Sequence, residues 1–232
     1  MSVLRHAPLR SSHPRLSIGA RKCRRKFLRF FPKGFNDAKY EAWERGYKIR
    51  AHEQWMTVLK KDDFKQLLQR RQYQEIAARA VRVESRTNLL FSFEKMALRD
   101  ALKGEQGAKL FAEGLFNFLY ERNSLEKAFE HWREVVAGLP RKQTRVLTWP
   151  VLTVFGFIAE PETHIFLKPN VTRIAAENYG FDFTYTAQPN FETYSNLLEF
   201  ARVVGEDLRD LEPRDMIDIQ SFIWVQGSEE YG

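Results

Sequence analysis

Lysine and arginine residues are mixed with phenylalanines in the segment RKCRRKFLRFF, positions 21–31, a composition suited to binding a polyanion. Ammonium and guanidinium groups contact phosphates and release their counterions, and a phenylalanine ring can stack on an unpaired base. Such contacts predict nucleic-acid binding that is largely independent of base sequence. The residues predicted to make them are Arg21, Lys22, Arg24, Arg25, Lys26, Phe27, Arg29, Phe30 and Lys33.

The distribution of charge along the chain supports this prediction. Ten Lys and Arg residues precede the first acidic residue, Asp37, although the whole chain carries a formal charge of only +7. Residues 181–232 contain 3 basic and 11 acidic residues. The oppositely charged ends also predict docking of one end on the other, within one chain or between the copies of a homo-oligomer.

Other interpretations of the basic segment remain open. A basic helix with Phe and Leu on one side is typical of binding to a membrane surface. Residues 1–30 are rich in Arg and Ser and lack acidic residues, as mitochondrial targeting sequences do. The segment could also be a solvated tail without a specific ligand.

Arg45 and His52 are separated by six residues in a stretch with helical periodicity. Their spacing resembles the Arg-x(4–6)-His element of HEPN-type helical ribonucleases. The resemblance implies that His52 assists proton transfer from a 2′-hydroxyl and that Arg45 stabilises phosphate charge. It covers eight residues, and it departs from the family at Gly46, where the family usually has a polar residue.

Asp215 and Asp218 form a second candidate catalytic group. Two carboxylates and a lysine around Mg²⁺ are typical of nucleases, and His164 and Lys168 would share one face if residues 163–168 form a strand. The spacing of these residues matches no metal-nuclease signature, and helix caps explain the same aspartates. We therefore expect no metal and no cofactor.

Composition and missing motifs exclude several classes of protein. The single cysteine, Cys23, excludes an internal disulfide and a cysteine-based zinc site. The sequence has no P-loop, dinucleotide-binding, zincin or nucleophile-elbow motif. It also lacks a run of 18 apolar residues that would span a membrane. We expect a cytoplasmic protein, or a mitochondrial matrix protein if the source is eukaryotic.

The elements that position these residues are predicted to be mainly α-helical. Hydrophobic periodicity and capping residues indicate six to eight helices, including one long segment over 73–102 and a last helix over 216–226. Residues 146–168 favour a β-hairpin, or a buried helix followed by one strand, and 181–185 favour a short strand. We divide the chain into a basic arm (1–35), a helical subdomain (36–140) and an α+β subdomain (141–232).

The sequence therefore predicts a nucleic-acid-associated binding protein that uses its basic N-terminal arm. Two alternatives belong to other classes. One is a helical nuclease or other phosphotransfer enzyme that uses Arg45 and His52, or Asp215 and Asp218. The other is a non-catalytic adaptor or assembly subunit.

Overall fold

The computed structural model describes residues 16–121, 124–141 and 145–232. The first part of the predicted arm, with Arg5, Arg10 and Arg15, lies outside these residues. The helices are α1 (Ile18–Phe30), α2 (Ala38–Tyr40), α3 (Gly46–Val58), α4 (Lys61–Gln69), α5 (Tyr73–Glu84), α6 (Ser92–Ala101), α7 (Glu105–Tyr120), α8 (Leu125–Gly138), α9 (Trp149–Ala159), α10 (Pro169–Tyr179), α11 (Phe191–Asp207) and α12 (Met216–Gly227). A π-helical turn (Glu41–Arg45) joins α2 to α3, and 3₁₀ turns cover Gly34–Asn36, Arg209–Leu211 and Glu229–Tyr231.

The predicted mainly helical class is confirmed, and local signals set several helix ends. The side chains of Asp37, Ser124, Asn190 and Asp215 each accept a hydrogen bond from a backbone N–H of the first turn that follows. Such caps satisfy amides that have no partner within the helix. Gly180 ends α10 at φ +80°, a conformation that costs glycine little.

The predicted β element is wrong for the described residues, which contain no strand. Residues 149–159 form α9, and every one of its side chains is buried. A helix that is apolar on all sides is stable when neighbours surround it, so burial outweighs the preference of Val and Thr for strands. Thr148 as N-cap and Pro150 in the first turn are the local signals that start it.

The two segments predicted as strands, 163–168 and 181–185, contain no strand. Their backbone amides donate to side chains instead: Leu167 N–H to Thr153 Oγ1 at 3.0 Å, and Thr184 N–H to Asn196 Oδ1 at 2.8 Å. Side-chain acceptors therefore replace the ladder that a sheet would supply.

The long helix predicted over 73–102 is two helices, α5 and α6, separated by residues 85–91. Thr87 donates to the carbonyl of Glu84 at 2.8 Å, and Glu94 accepts from the N–H of Phe91 at 2.9 Å. These local side-chain bonds compete with helical ones and break the helix. The break leaves a loop that forms one wall of a cleft.

From Ile18 onward the predicted arm belongs to the packed fold. The rings of Phe27, Phe31 and Phe35 are buried, and Phe27 lies 5.3 Å from Phe222 of α12 between ring centroids. One hydrophobic core runs from Ala20 to Tyr231. The division at position 140 stays a prediction. Among the described helices, none is long and apolar enough to cross a membrane.

Candidate functional site: a cationic helix beside an aromatic cleft

Helix α1 presents a cationic face to solvent. Five basic residues on α1 and in the turn after it are exposed, and none of them forms an ion pair within the described parts of the chain. They are Arg21, Lys22, Arg25, Arg29 and Lys33. From the rise of an α-helix, α1 is about 20 Å long, so this face can contact several successive phosphates.

The other residues predicted to bind nucleic acid are placed differently. Phe27 is completely buried in the core and has no face free to stack on a base, so that prediction is corrected. Arg24 forms two hydrogen bonds with Asp210, at 2.6 and 2.8 Å, which joins the basic and acidic regions within one chain. Lys26 and Phe30 are half-buried.

Arg45 lies in a buried ion-pair network instead of facing a substrate. Its guanidinium binds both carboxylate oxygens of Asp215, at 2.7 and 2.8 Å, and one oxygen of Asp218 at 2.9 Å. Burial alone would lower the pKa of Arg45, but the hydrogen bonds to Asp215 and the charge of Asp218 raise it. The guanidinium is thus occupied by carboxylates of its own chain.

Asp218 is the most enclosed member of this network, with no exposed surface. It accepts hydrogen bonds from the Tyr40 hydroxyl and from the backbone and guanidinium of Arg214. Burial alone would raise its pKa, yet the hydrogen bonds from Arg214 and Tyr40 and the charge of Arg45 lower it. A carboxylate held in this way fixes α12 against the π-helical turn.

Of the two predicted catalytic pairs, Asp215 and Asp218 lie together on one guanidinium, whereas Arg45 and His52 have different partners. The structure brings Arg45 together with Asp215 and Asp218, but His52 binds elsewhere, with Nδ1 2.9 Å from the carbonyl oxygen of Ile158. No group of three or more His, Cys, Asp or Glu residues that could hold a metal is found among the described residues. Asp215 and Asp218 serve α12 as N-cap and ion-pair partner.

The same network continues to a cleft through Lys48. The Lys48 ammonium donates to Ser221 Oγ at 2.8 Å and to Glu44 at 3.2 Å, and Glu44 also accepts from the Tyr231 hydroxyl. Burial lowers the pKa of Lys48 against the opposing charge of Glu44. Lys48 and Glu44 both line the cleft, so the network supports its floor.

The cleft has a volume of about 850 Å³, which lies within the range of small-molecule sites in proteins. Its lining is rich in aromatic rings, and three of them are more than half exposed: Trp43, Phe91 and Phe93. The Lys39 ammonium lies 4.2 Å from the Trp43 ring and 5.9 Å from the Phe30 ring. Lys39 therefore connects the end of α1 with the rim of the cleft.

Sequence reasoning did not find this cleft, because its residues come from seven separate parts of the chain. Lys168, which lines the cleft, was predicted to lie on a strand face. The sequence does contain signals for two of the helix starts at the cleft. Thr148 is a typical N-cap residue, and Pro169 is a typical first-turn residue.

His164 is a buried histidine outside the cleft, with Nδ1 3.0 Å from the Tyr194 hydroxyl and its ring 4.6 Å from that of Phe118. Burial lowers its pKa to about 4 from an ordinary 6.5. The unfolded chain therefore binds a proton at this histidine between pH 6.5 and 4 while the folded chain does not. The free energy of unfolding must fall as the pH falls through this window.

We expect His164 to remove about 2 kcal/mol of stability between pH 7 and pH 5. Urea unfolding at both pH values measures the loss in the natural chain and in a His164→Asn variant, whose amide can still bond to Tyr194. Between pH 7 and pH 5 the variant should lose about 2 kcal/mol less stability than the natural chain. An equal loss in both proteins would mean that His164 titrates normally in the folded state.

No family model, curated protein or solved structure matches this chain. The functional argument therefore depends on the charges, exposure and contacts of the residues themselves.

Proposed function

We propose that this protein binds nucleic acid by holding phosphates on the cationic face of α1. The observation that supports the proposal most is that five exposed basic residues along this helix and the turn after it lack carboxylate partners among the described residues. The apolar side of α1 is fixed in the core by Ala20, Cys23 and Phe27. The helix is thus already ordered, and binding would not have to order it.

Single-stranded nucleic acid is the ligand that this surface fits best. Phe30, the last residue of α1, is followed by Lys39 and the exposed ring of Trp43 in a continuous row of cations and aromatic rings. Aromatic rings stack on unpaired bases whatever their identity, whereas the bases of a duplex are already stacked on each other. We therefore expect the protein to prefer single-stranded to double-stranded nucleic acid and to bind different base sequences about equally.

The test replaces the five exposed residues Arg21, Lys22, Arg25, Arg29 and Lys33 with glutamine in the full chain. Binding to a labelled 20-nucleotide single strand is measured by fluorescence anisotropy between 50 and 200 mM salt. Each lost phosphate contact should reduce the slope of log K against log salt by about 0.7. For five lost contacts we expect the slope to fall by about 3.5, with at least a tenfold loss of affinity at 50 mM salt.

A control variant carries the same change in net charge on another surface: Arg50, Lys60, Lys61, Lys65 and Arg70, all exposed, are replaced with glutamine. This protein should bind nearly as well as the natural chain. If both variants lose the same affinity, net charge alone drives binding and the assignment to α1 is wrong. If the natural chain binds no strand but self-associates at low salt, the adaptor function is supported instead.

A further inference from the structure

Three helices begin at the cleft. The N-terminus of a helix carries partial positive charge and unpaired N–H groups, which attract anions. In α10 no side chain caps this end. The first-turn residues that line the cleft are Phe93 and Glu94 of α6, Trp149 and Pro150 of α9, and Pro169, Asn170 and Val171 of α10.

Two cations line the same cleft. Lys168 is the N-cap of α10, and its ammonium donates to the carbonyl of Leu89 at 3.0 Å and lies 3.4 Å from the centre of the Phe91 ring. Within the described residues, neither Lys168 nor Arg145, which also lines the cleft, forms an ion pair. Burial lowers the pKa of Lys168 against the opposing charge of Glu94, and its ammonium contacts a carbonyl and a ring but bonds to no carboxylate among the described residues.

Three carboxylates also line the cleft: Glu230 is exposed and accepts from Trp224 Nε1 at 3.3 Å, while Glu44 and Glu94 are buried and bonded within the chain. Glu94 accepts from the Thr148 hydroxyl at 2.9 Å and from the N–H of Phe91, and Glu44 is held by Lys48 and Tyr231. These contacts hold both side chains in place.

Gln220 provides independent support for a ligand in the cleft. It lines the cleft from α12, only 4% of its surface is exposed, and its carbonyl oxygen has no hydrogen-bond partner among the described residues. An unpaired buried polar group costs about 1–3 kcal/mol, which a ligand with a complementary edge would recover. The end torsion of glutamine is soft, so the amide can turn either its donor or its acceptor to that edge.

We infer that the cleft binds a nucleotide, with the base among the aromatic rings of Trp43, Tyr47 and Trp224 and the phosphate at the start of α10 near Lys168. A planar base suits the rings, and a phosphate suits the helix N-termini and the cations. The carboxamide of Gln220, with one donor and one acceptor, matches the edge of adenine best.

The nucleotide can be free or part of a strand. Free binding does not depend on the proposed role of α1, because the cleft and the exposed face of α1 use different residues. Insertion of a nucleotide from a strand rests on the proposed function, since the strand would then pass from α1 along Lys39 to the rim of the cleft.

The experiment titrates the full-length protein with 5′-AMP and follows binding by calorimetry. Adenosine and inorganic phosphate are titrated separately, and each should bind at least tenfold more weakly because each fills one end of the cleft only. Gln220→Leu should weaken AMP binding at least tenfold. Lys168→Met, at the phosphate end, should weaken binding of AMP but change binding of adenosine little.

A matched control is present on the same helix. Gln226 is also buried, and its amide nitrogen is also unpaired among the described residues, but it does not line the cleft. Gln226→Leu should therefore leave AMP affinity unchanged. The inference is overturned if AMP does not bind at 5 mM, or if Gln220→Leu and Gln226→Leu bind AMP as well as the natural chain.

Competition between AMP and a single strand shows whether the cleft takes a free nucleotide or a nucleotide of the bound strand. If a single strand displaces AMP, and the glutamine variant of α1 still binds AMP but no longer loses it to the strand, the cleft takes a nucleotide of the bound strand. If strand and AMP bind together, the cleft takes a free nucleotide. If AMP binds and no strand does, the proposed function fails while the nucleotide site stands.

Discussion

Replacing Arg45 with methionine is expected to lower the free energy of unfolding by about 3 kcal/mol, the lower end of the range for breaking a buried ion pair. Methionine keeps much of the apolar volume, but Asp215 and Asp218 lose their shared cation. The site is buried, since the side chains of Arg45, Asp215 and Asp218 are 8%, 6% and 0% exposed. The loss stays at the lower end because Arg214 and Tyr40 still bind Asp218. Urea unfolding at pH 7 measures the difference.

The matched control is Arg24→Met, which removes an ion pair of nearly ideal length on the surface. Asp210, its partner, is 63% exposed, and water solvates the carboxylate when the arginine is removed. The expected loss is at most about 1 kcal/mol. If the Arg45 variant loses no more than the Arg24 variant, the network does not stabilise the fold as described.

A second variant separates the cost of an unpaired charge from the loss of contacts. Asp218→Asn in the Arg45→Met background removes one of the two carboxylates left behind. The double variant should be more stable than the sum of the two single losses predicts, because the second change no longer breaks an ion pair with Arg45. Additive losses would mean that Arg45 and Asp218 do not interact.

The local features of the fold could be predicted from the sequence, because they depend on residues within a few positions of each other. Asp37, Asn190 and Asp215 are of the residue types that favour the N-cap, and each of them caps the helix that follows it. The helical form of α12 was also predicted from a capping pattern, and that prediction is confirmed. A cap acts on the first turn alone, so distant contacts do not change the result.

Features that depend on distant contacts could not be predicted. Asp218 was a candidate catalytic residue, and nothing near it in sequence shows that Arg45, 173 positions earlier, pairs with it. Residues 149–159 have strand-like composition, so the sequence left a strand and a buried helix open, and burial among the surrounding helices decides for the helix. The cleft is the strongest case, because three helix starts that lie far apart in the sequence line it together.

The sequence contains a signal that the basic segment packs on the core, although a free arm was predicted. Ala20, Cys23, Phe27 and Phe31 recur at spacings of three and four residues, the pattern of a helix that buries one face. This pattern places Phe27 in the core and leaves Arg21, Lys22 and Arg25 on the other face. The prediction of a basic arm used the charges alone and overlooked this periodicity. In the structure, residues 18–30 form a helix that packs on the core.

Replacing Gly227 with alanine is expected to lower the free energy of unfolding by about 3 kcal/mol, a value typical of severe overpacking. Gly227 ends α12 where that helix meets α10, and a Cβ atom built on it would lie 2.0 Å from the carbonyl oxygen of Val171. That oxygen is part of the backbone of α10, so a side-chain rotation cannot relieve the clash. The two helices must separate, and their separation would also widen the cleft, because Gln220 and Val171 both line it.

Gly138→Ala is the matched control, since Gly138 also ends a helix but has no atom within 4 Å of the added carbon. There the substitution only reduces the freedom of the unfolded chain, and stability should rise by about 0.5–1 kcal/mol. Urea unfolding of both variants measures the contrast. If Gly227→Ala is as stable as Gly138→Ala, α12 does not pack on α10 as closely as described, and the position of Gln220 in the cleft loses its support.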